Sequence, residues 1–243
     1  MSNLYVVALP IGNLEDITLR GLKVLRNSDL ILSEDTRVTM KLLNRYDIKV
    51  PLLSYHQHSK LKQTDYILNL LEKGKNMALV CDAGTPGISD PGSNLIKAVI
   101  TRFGSDVKII PIPGPSALIA IASISAFPMN RFLFLGFPPL KRKRKKFFEE
   151  IACSKYPVIF YESPRKILKT LKELEAVLNS EFAETRSLRD LRKLSREIIV
   201  GRELTKKFET IYRGDINKVI EELEKNKIKG EFVVIINNSK FKS

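Results

Sequence analysis

Short apolar runs alternate with amphipathic stretches along most of this chain, and several of the runs end at loops that contain glycine or proline. The first run, Leu4–Leu9, ends at Pro10 and is followed by Gly12. Runs of this kind are typical of buried strands, and the stretches between them are typical of helices. Because strands that alternate with helices form a largely parallel sheet covered on both faces, the sequence predicts an α/β fold.

The alternation begins again after Phe127, which predicts two α/β domains. The first covers residues 1–127 and the second covers residues 131–243, with a short hinge at Ala126–Asn130. A chain of 243 residues is long enough for two domains of moderate size, and 44% hydrophobic residues allow each of them a core. A cleft between two such domains is a favoured place for a ligand.

Positive charge is concentrated in the second predicted domain. The whole chain has 41 Lys and Arg against 27 Asp and Glu, a net charge of +14, of which residues 1–127 supply only +3 (14 basic, 11 acidic). The densest run is Lys141–Lys146, six consecutive cations. A second cluster comprises Arg186, Arg189, Arg192, Lys193 and Arg196. A solvated helix face is the simplest explanation of a charge run, but two clusters in one half without matching acids favour contacts with nucleic-acid phosphates.

The sequence also argues against several classes of protein. Two cysteines and two histidines are too few for a disulfide framework or a Cys/His zinc site, so we expect no metal. The uncharged stretch Ile109–Asn130 is interrupted by prolines, and no basic leader precedes the first strand, so we expect a cytoplasmic protein without a membrane span. The sequence lacks the glycine-containing motifs that are usual for hydride transfer, nucleotide hydrolysis and serine-esterase chemistry.

Three loops rich in glycine and proline follow predicted strands. They are Pro10–Leu14, Asp82–Gly92 and Pro113–Ala117. Because open α/β sheets bind ligands at the carboxyl ends of their strands, we expect these loops to form a binding site. Their bare backbone lets a planar or charged ligand approach closely, and Asp82 and Asp90 are able to accept hydrogen bonds from it. Two tight turns capped by aspartate side chains are the alternative interpretation.

Eight motifs in a fixed order resemble a known family. The chain reads LYVVALPIGNLEDITLRGL at 4–22, SEDTR at 33–37, CDAGTPGISDPG at 81–92, PGPSA at 113–117, FLGFPP at 134–139, FYESPRK at 160–166, GRELTKKFET at 201–210 and KGEFVVII at 229–236. Over nearly its whole length it resembles the bacterial ribosomal RNA small subunit methyltransferase I family, part of the tetrapyrrole methylase superfamily. FYESPRK and GRELTK are specific motifs, whereas PGPSA alone is weak.

The resemblance implies two α/β domains of the tetrapyrrole methylase type, a homodimer, and S-adenosylmethionine bound in the cleft between the domains. It implies transfer of a methyl group to the ribose 2′-hydroxyl of a cytidine in the decoding region of small-subunit (16S) ribosomal RNA, either as free RNA or in the assembled subunit. It also implies which residues contact the cofactor. These are Pro10, Asp82, Ala83, Gly84, Ile88, Ser89, Ser116 and Ala117, together with Tyr161, Leu204 and Gly230 from the second domain.

A ribose hydroxyl is a poor nucleophile, so a base or a nearby cation would assist its methylation. The candidate catalytic residues are Asp82, Glu34 and Arg37, with Asp35, Glu231, Arg20 and Lys206 as further possibilities. For the segment 34–37 a helix cap with a local ion pair is the alternative. Two other functions stay open: a tetrapyrrole methyltransferase, against which the basic second domain argues, and a non-catalytic RNA-binding assembly factor, against which the intact loops argue.

Overall fold

The computed structural model describes residues 2–56, 61–179 and 197–237, and the basic cluster of residues 186–196 lies outside these ranges. The chain divides into two compact units, Met1–Ser116 and Ala117–Ser243, each with its own five-stranded sheet. The division precedes the helix Ala117–Ser123, whereas the sequence-based boundary follows it. The reason is that Ile121 of this helix packs closely against Gly201, which belongs to a strand of the second unit.

The first unit contains a parallel sheet, as the alternation of its elements predicts. Its strands are β1 (Asn3–Val7), β2 (Leu30–Ser33), β3 (Leu52–Ser54), β4 (Met77–Leu79) and β5 (Lys108–Ile112). Its helices are α1 (Leu19–Asn27), α2 (Thr36–Arg45), α3 (Leu61–Glu72) and α4 (Gly92–Phe103). The strand order is β3-β2-β4-β1-β5, and every pair is parallel. The carboxyl ends of all five strands therefore meet at one edge.

Helices cover both faces of this sheet because successive strand residues point to opposite sides. Leu25 of α1 belongs to the buried cluster that contains Val7 and Leu43, on one face. Leu95 of α4 belongs to the cluster on the other face, which contains Leu4. Burying one such side chain fully stabilises the fold by about 2 kcal/mol. The two cores hold the strand ends, and hence the loops that follow them, in fixed positions.

The second unit contains a mixed sheet. Its strands are β6 (Leu133–Phe134), β7 (Val158–Glu162), β8 (Glu197–Arg202), β9 (Thr210–Asp215) and β10 (Phe232–Ile236). Its helices are α5 (Ala117–Ser123), α6 (Arg144–Cys153), α7 (Ile167–Asn179) and α8 (Ile216–Glu224). The order is β6-β7-β10-β8-β9, with β6 parallel to β7 and the other pairs antiparallel. Strand β9 is antiparallel to β8 because only a short loop joins them.

One buried cluster holds α6, α7 and α8 against a single face of the second sheet, through Phe148, Leu171 and Leu223 among others. Helix α5 packs near the opposite face, where Ile121 lies against Gly201. Among the helices of the described ranges, none has both the length and the apolar composition that crossing a membrane requires.

Candidate functional site

The loops that follow β1, β4 and β5 lie side by side at the carboxyl edge of the first sheet. Leu9 and Gly84 exchange two backbone hydrogen bonds, of 2.8 and 3.0 Å. The hydroxyl of Thr85 donates to the carbonyl oxygen of Pro115 at 3.2 Å, which ties the second loop to the third. Three segments that are far apart in sequence thus form one continuous surface of loop backbone.

Glycine is required at two positions of this surface. Gly84 has a φ of +79°, a conformation that side chains with a Cβ rarely adopt. At Gly114 a Cβ would lie 3.0 Å from the Cβ of Ala8 and 3.3 Å from its carbonyl oxygen. These glycines let the loops approach one another closely, and Ala83 beside them is exposed. The result is a bare and rigid backbone surface.

The two aspartates of the second loop have different roles. The Asp90 carboxylate accepts hydrogen bonds from the backbone amides of Gly87 (2.9 Å) and Gly92 (2.7 Å), so this residue caps a turn. Asp82 is exposed, and its Oδ1 accepts the backbone N–H of Asp35 at 2.9 Å. The turn-capping interpretation therefore holds for Asp90, while Asp82 projects a carboxylate from the edge of the sheet. Ser89, between them, has a φ of +64° and is a strained position.

Glu34 lies at the same edge, directly after β2, and is half-buried. Burial raises the pKa of its carboxyl group, and the negative charges of Asp82 and Asp90 raise it further, while His56 opposes them. A carboxylate whose pKa is raised is a stronger base than an ordinary carboxylate. The site therefore contains two chemically distinct acids, an exposed Asp82 and a more basic Glu34.

Arg37 forms an ion pair at the start of α2. Its Nη2 lies 2.6 Å from Oδ2 of Asp35, and its side chain is 87% exposed. Asp35 also caps the helix, since its Oδ1 accepts the backbone N–H of Arg37 at 2.9 Å. The side-chain hydrogen bonds from Arg37 lower the pKa of Asp35 to about 2. The helix cap with a local ion pair is therefore present, and it orients Arg37 beside the loops.

The first unit brings most of its predicted cofactor residues to one edge. Pro10 and Gly84 are buried there, Asp82 and Ala83 are exposed, and Ser116 is half-buried. Ile88 is exposed and also lines an open groove along α4 together with Ile96 and Ile100.

The predicted cofactor residues of the second unit also share one edge of their sheet. Val233 of β10 pairs with both Tyr161 and Gly201. Leu204 follows Gly201 by three residues and is buried, and Gly230 precedes Val233 by three. Tyr161, Leu204 and Gly230 are therefore neighbours at the end of β7, the end of β8 and the start of β10. Ala117 belongs to the same unit, at the start of α5.

Glu203, which the sequence analysis did not single out, organises this second edge. Its Oε1 accepts Lys206 Nζ at 2.8 Å and the backbone N–H of Glu231 at 3.0 Å, and Lys206 Nζ also lies 3.0 Å from Glu231 Oε2. Burial lowers the pKa of Lys206, but the bonds to these two carboxylates outweigh it and the pKa is raised. A Cβ at Gly230, whose φ is +88°, would overlap the Glu203 side chain. Lys206 is thus held by two acids, which makes it a weak candidate for binding phosphate.

The comparisons with known proteins agree with this architecture. The sequence matches the family model described as Tetrapyrrole (Corrin/Porphyrin) Methylases over residues 3–220, and the chain belongs to this family. A solved cobalt precorrin-4 methyltransferase is similar in fold, with a TM-score of 0.67 and 19% identity over 97% of this chain and 94% of that one. The methyltransferase CobJ is similar as well, with a TM-score of 0.67, 17% identity and coverage of 100% and 95%.

The relatives with higher identity are more specific. A Thermotoga maritima protein named ribosomal RNA small subunit methyltransferase I is 42% identical over 97% of this chain and 98% of its own length. The proteins of the same name from Bacillus subtilis and Escherichia coli O157:H7 are 40% and 38% identical, over 98% of this chain and 76% and 78% of their own lengths. Within the tetrapyrrole methylases, the chain is thus similar over nearly its whole length to this group.

Proposed function

We propose that this protein is a methyltransferase that uses S-adenosylmethionine to modify small-subunit (16S) ribosomal RNA. The observation that carries the proposal is the 42% identity to a relative named ribosomal RNA small subunit methyltransferase I, over 98% of that relative. The more specific part of the proposal is that the acceptor is the ribose 2′-hydroxyl of a cytidine in the decoding region. The net charge of +11 in residues 128–243 (27 basic, 16 acidic) supports a polyanionic substrate.

The loop surface of the first unit fits a ligand such as S-adenosylmethionine, which has hydroxyl and ammonium groups that need acceptors and a flat base that needs a bare surface. The exposed carboxylate of Asp82 and the exposed backbone at Ala83 and Gly114 offer both. We propose that the first-unit contacts are Pro10, Asp82, Ala83, Gly84, Ile88, Ser89 and Ser116. We propose that Ala117, Tyr161, Leu204 and Gly230 complete the site from the second unit. When bound, the cofactor supplies an electrophilic methyl group.

We propose that Glu34 acts as the general base. It is half-buried and its pKa is raised, so it accepts a proton more readily than an ordinary glutamate does. In this role its carboxylate would take the proton of the 2′-hydroxyl, while S-adenosylmethionine would supply the methyl group and leave as S-adenosylhomocysteine. Asp82, which adds negative charge beside it, and Arg37, whose guanidinium is exposed, are the other two proposed catalytic residues. Arg37 would hold a substrate phosphate or stabilise the developing oxyanion.

Three further properties belong to the same proposal. The substrate is either free ribosomal RNA or the assembled small subunit. The enzyme acts as a homodimer, and it acts in the cytoplasm, where ribosomal subunits are modified. The homodimer rests on the resemblance of the sequence motifs to this family, and the location rests on the proposed ribosomal RNA substrate.

The test is methyl transfer from labelled S-adenosylmethionine to small ribosomal subunits that lack the modification, followed by digestion to nucleosides. Label in 2′-O-methylcytidine is the expected result, and Asp82→Asn is expected to abolish it together with cofactor binding. A matched control is Asp106→Asn, an acidic residue in the loop before β5, at the opposite end of the sheet.

Two other results would overturn the proposal. Cofactor binding by calorimetry without label in subunits or in bare ribosomal RNA would favour a tetrapyrrole substrate. RNA binding without any cofactor binding would favour a non-catalytic assembly factor.

A further inference from the structure

The six cations of the run Lys141–Lys146 are not equivalent, because Arg144 points into the fold. Its side chain is only 12% exposed, and its Nε lies 2.6 Å from Glu173 Oε2. Its Nη2 donates to Thr170 Oγ1 at 2.7 Å, and its guanidinium lies 5.0 Å from the centre of the Phe148 ring. Arg144 therefore anchors the start of α6 to α7, and this anchor fixes the position of its neighbours in the run.

The other five cations face solvent. Lys141, Arg142, Lys143, Lys145 and Lys146 are all exposed. With the described part of the chain, only Lys145 of these five makes an ion pair, at 3.8 Å to Glu149 and with its side chain 80% exposed. A pair at this distance and exposure neutralises little of the charge. The fold thus displays a dense patch of positive charge on a fixed support.

Large apolar side chains lie in the loop that leads into this patch. Phe137 is 56% exposed and Leu140 is 70% exposed, although both residue types are usually buried. The ring of Phe137 lies 5.4 Å from that of Tyr161, and the N–H of Tyr161 donates to Gly136 O at 2.8 Å. The loop therefore starts at the sheet edge that carries Tyr161, one of the residues assigned above to the cofactor.

From this combination we infer that Phe137, Leu140 and the five exposed cations form a binding surface, the 137–146 surface, for single-stranded RNA. The inference rests on the proposed function and names where the substrate is held. The cations match the phosphates, which supply affinity without sequence choice. An exposed aromatic ring beside them offers a face on which an unpaired base can stack. In an RNA duplex the base faces are covered by their neighbours, so the aromatic ring favours an unpaired segment.

Two triple variants distinguish RNA binding at this surface from a general effect of the protein's net positive charge. The first, K141A/R142A/K146A, removes three cations of the surface and spares both the anchor Arg144 and Lys143, which has a left-handed backbone. The matched control is K218A/K225A/K227A, which removes three exposed lysines on or just after α8. The control lysines lie apart from the 137–146 surface, because helix α7 packs between α6 and α8.

The measurement is the dissociation constant of a fluorescent single-stranded RNA, taken over a series of salt concentrations. For K141A/R142A/K146A the slope of log Kd against log salt is expected to fall by about 2, since each lost phosphate contact lowers it by about 0.7. At about 0.1 M salt the affinity is expected to fall roughly tenfold or more, while the control keeps the wild-type slope. Phe137→Ala is expected to weaken single-stranded RNA at least about fivefold and to leave a duplex of the same length unaffected.

The inference is overturned if both triple variants change the slope equally, or if Phe137→Ala affects duplex and single-stranded RNA alike. It is also overturned if the wild type binds anionic phospholipid vesicles but not RNA, because the surface then serves a membrane. Methyl transfer to small subunits by the wild type is measured in parallel. If the wild type and K141A/R142A/K146A transfer methyl groups with the same KM, the 137–146 surface does not bind the substrate, and the proposed function still stands. Absence of transfer by the wild type refutes the function, and the RNA-binding series still decides the surface.

Discussion

Replacement of Arg144 tests whether one member of the basic run stabilises the second unit. Arg144→Met removes the guanidinium and keeps an unbranched apolar stem that still packs on Phe148. The change deletes the bond to Glu173 Oε2 (2.6 Å), the bond to Thr170 Oγ1 (2.7 Å) and a third bond to the carbonyl oxygen of Pro139 (3.0 Å). Because all three contacts are lost, we expect this substitution to lower the free energy of unfolding more than any other in the run.

The expected loss of stability follows from these contacts. Removing one partner of a fully buried ion pair costs about 3–5 kcal/mol. Glu173 is 34% exposed and has Lys169 at 3.8 Å, so water and this lysine partly replace the lost cation. The Thr170 hydroxyl still donates to Glu162. The free energy of unfolding is therefore expected to fall by about 2–3 kcal/mol, which lowers Tm by about 5–10 °C in a chain of this size.

Urea denaturation followed by circular dichroism is the assay, with Lys145→Met as the matched control. Lys145 is the next residue in the run, is 80% exposed and pairs only loosely with Glu149, so its replacement is expected to change stability by less than about 0.5 kcal/mol. If the two variants unfold at the same urea concentration, the inward contacts of Arg144 contribute nothing and the run is a uniformly solvated surface.

Three shorter predictions concern the site. Gly230→Ala is expected to destabilise the protein about 2 kcal/mol more than Gly74→Ala in urea denaturation. Both glycines have a left-handed backbone (φ +88° and +83°), but only at Gly230 would an added Cβ overlap a neighbouring carboxylate side chain. Equal losses of stability would contradict this prediction. Glu34→Gln is expected to lower kcat for methyl transfer by about 10²- to 10⁴-fold with unchanged calorimetric binding of S-adenosylmethionine, and an unchanged kcat would exclude Glu34 as the base. Arg37→Ala is expected to lower stability above about pH 4 and to lose this effect as the pH falls toward 2, because the pKa of Asp35 is depressed to about 2 in the folded state; a difference independent of pH would show that the ion pair contributes nothing.

The first sheet is predictable from the sequence because its strands and loops obey local rules. Strand β1 is mostly apolar because both of its faces are covered, and it ends at Val7, shortly before Pro10. The proximity of the loops then follows from topology alone, since parallel strands end at one edge. The location of Asp82 and Glu34 at that edge is therefore predictable from their positions directly after two apolar runs.

The second unit is less predictable because its arrangement depends on long-range contacts. Strand β9 is only partly buried and begins after a polar loop, so it has no strong apolar pattern. Arg144 is chemically similar to its exposed neighbours, and only the position of α7 decides that it points inward. Glu203 likewise acquires its role from Lys206 and Glu231, and Glu231 lies 28 residues away in sequence.

The order of strands in the first sheet has a consequence for how the protein is made. Strand β1 is the first to be synthesised, yet it lies between β4 and β5, with partners at residues 77–79 and 108–112. This apolar strand therefore lacks its full set of partners until β5, about 105 residues further along the chain, has been made. Pairings so distant in sequence form slowly and leave apolar segments open to aggregation. The second sheet contains a hairpin of neighbouring strands, β8 and β9, whose pairing needs no such delay. The second sheet also contains a distant pairing, that of β7 with β10, so each sheet stays incomplete until its last strand, β5 or β10, has been made.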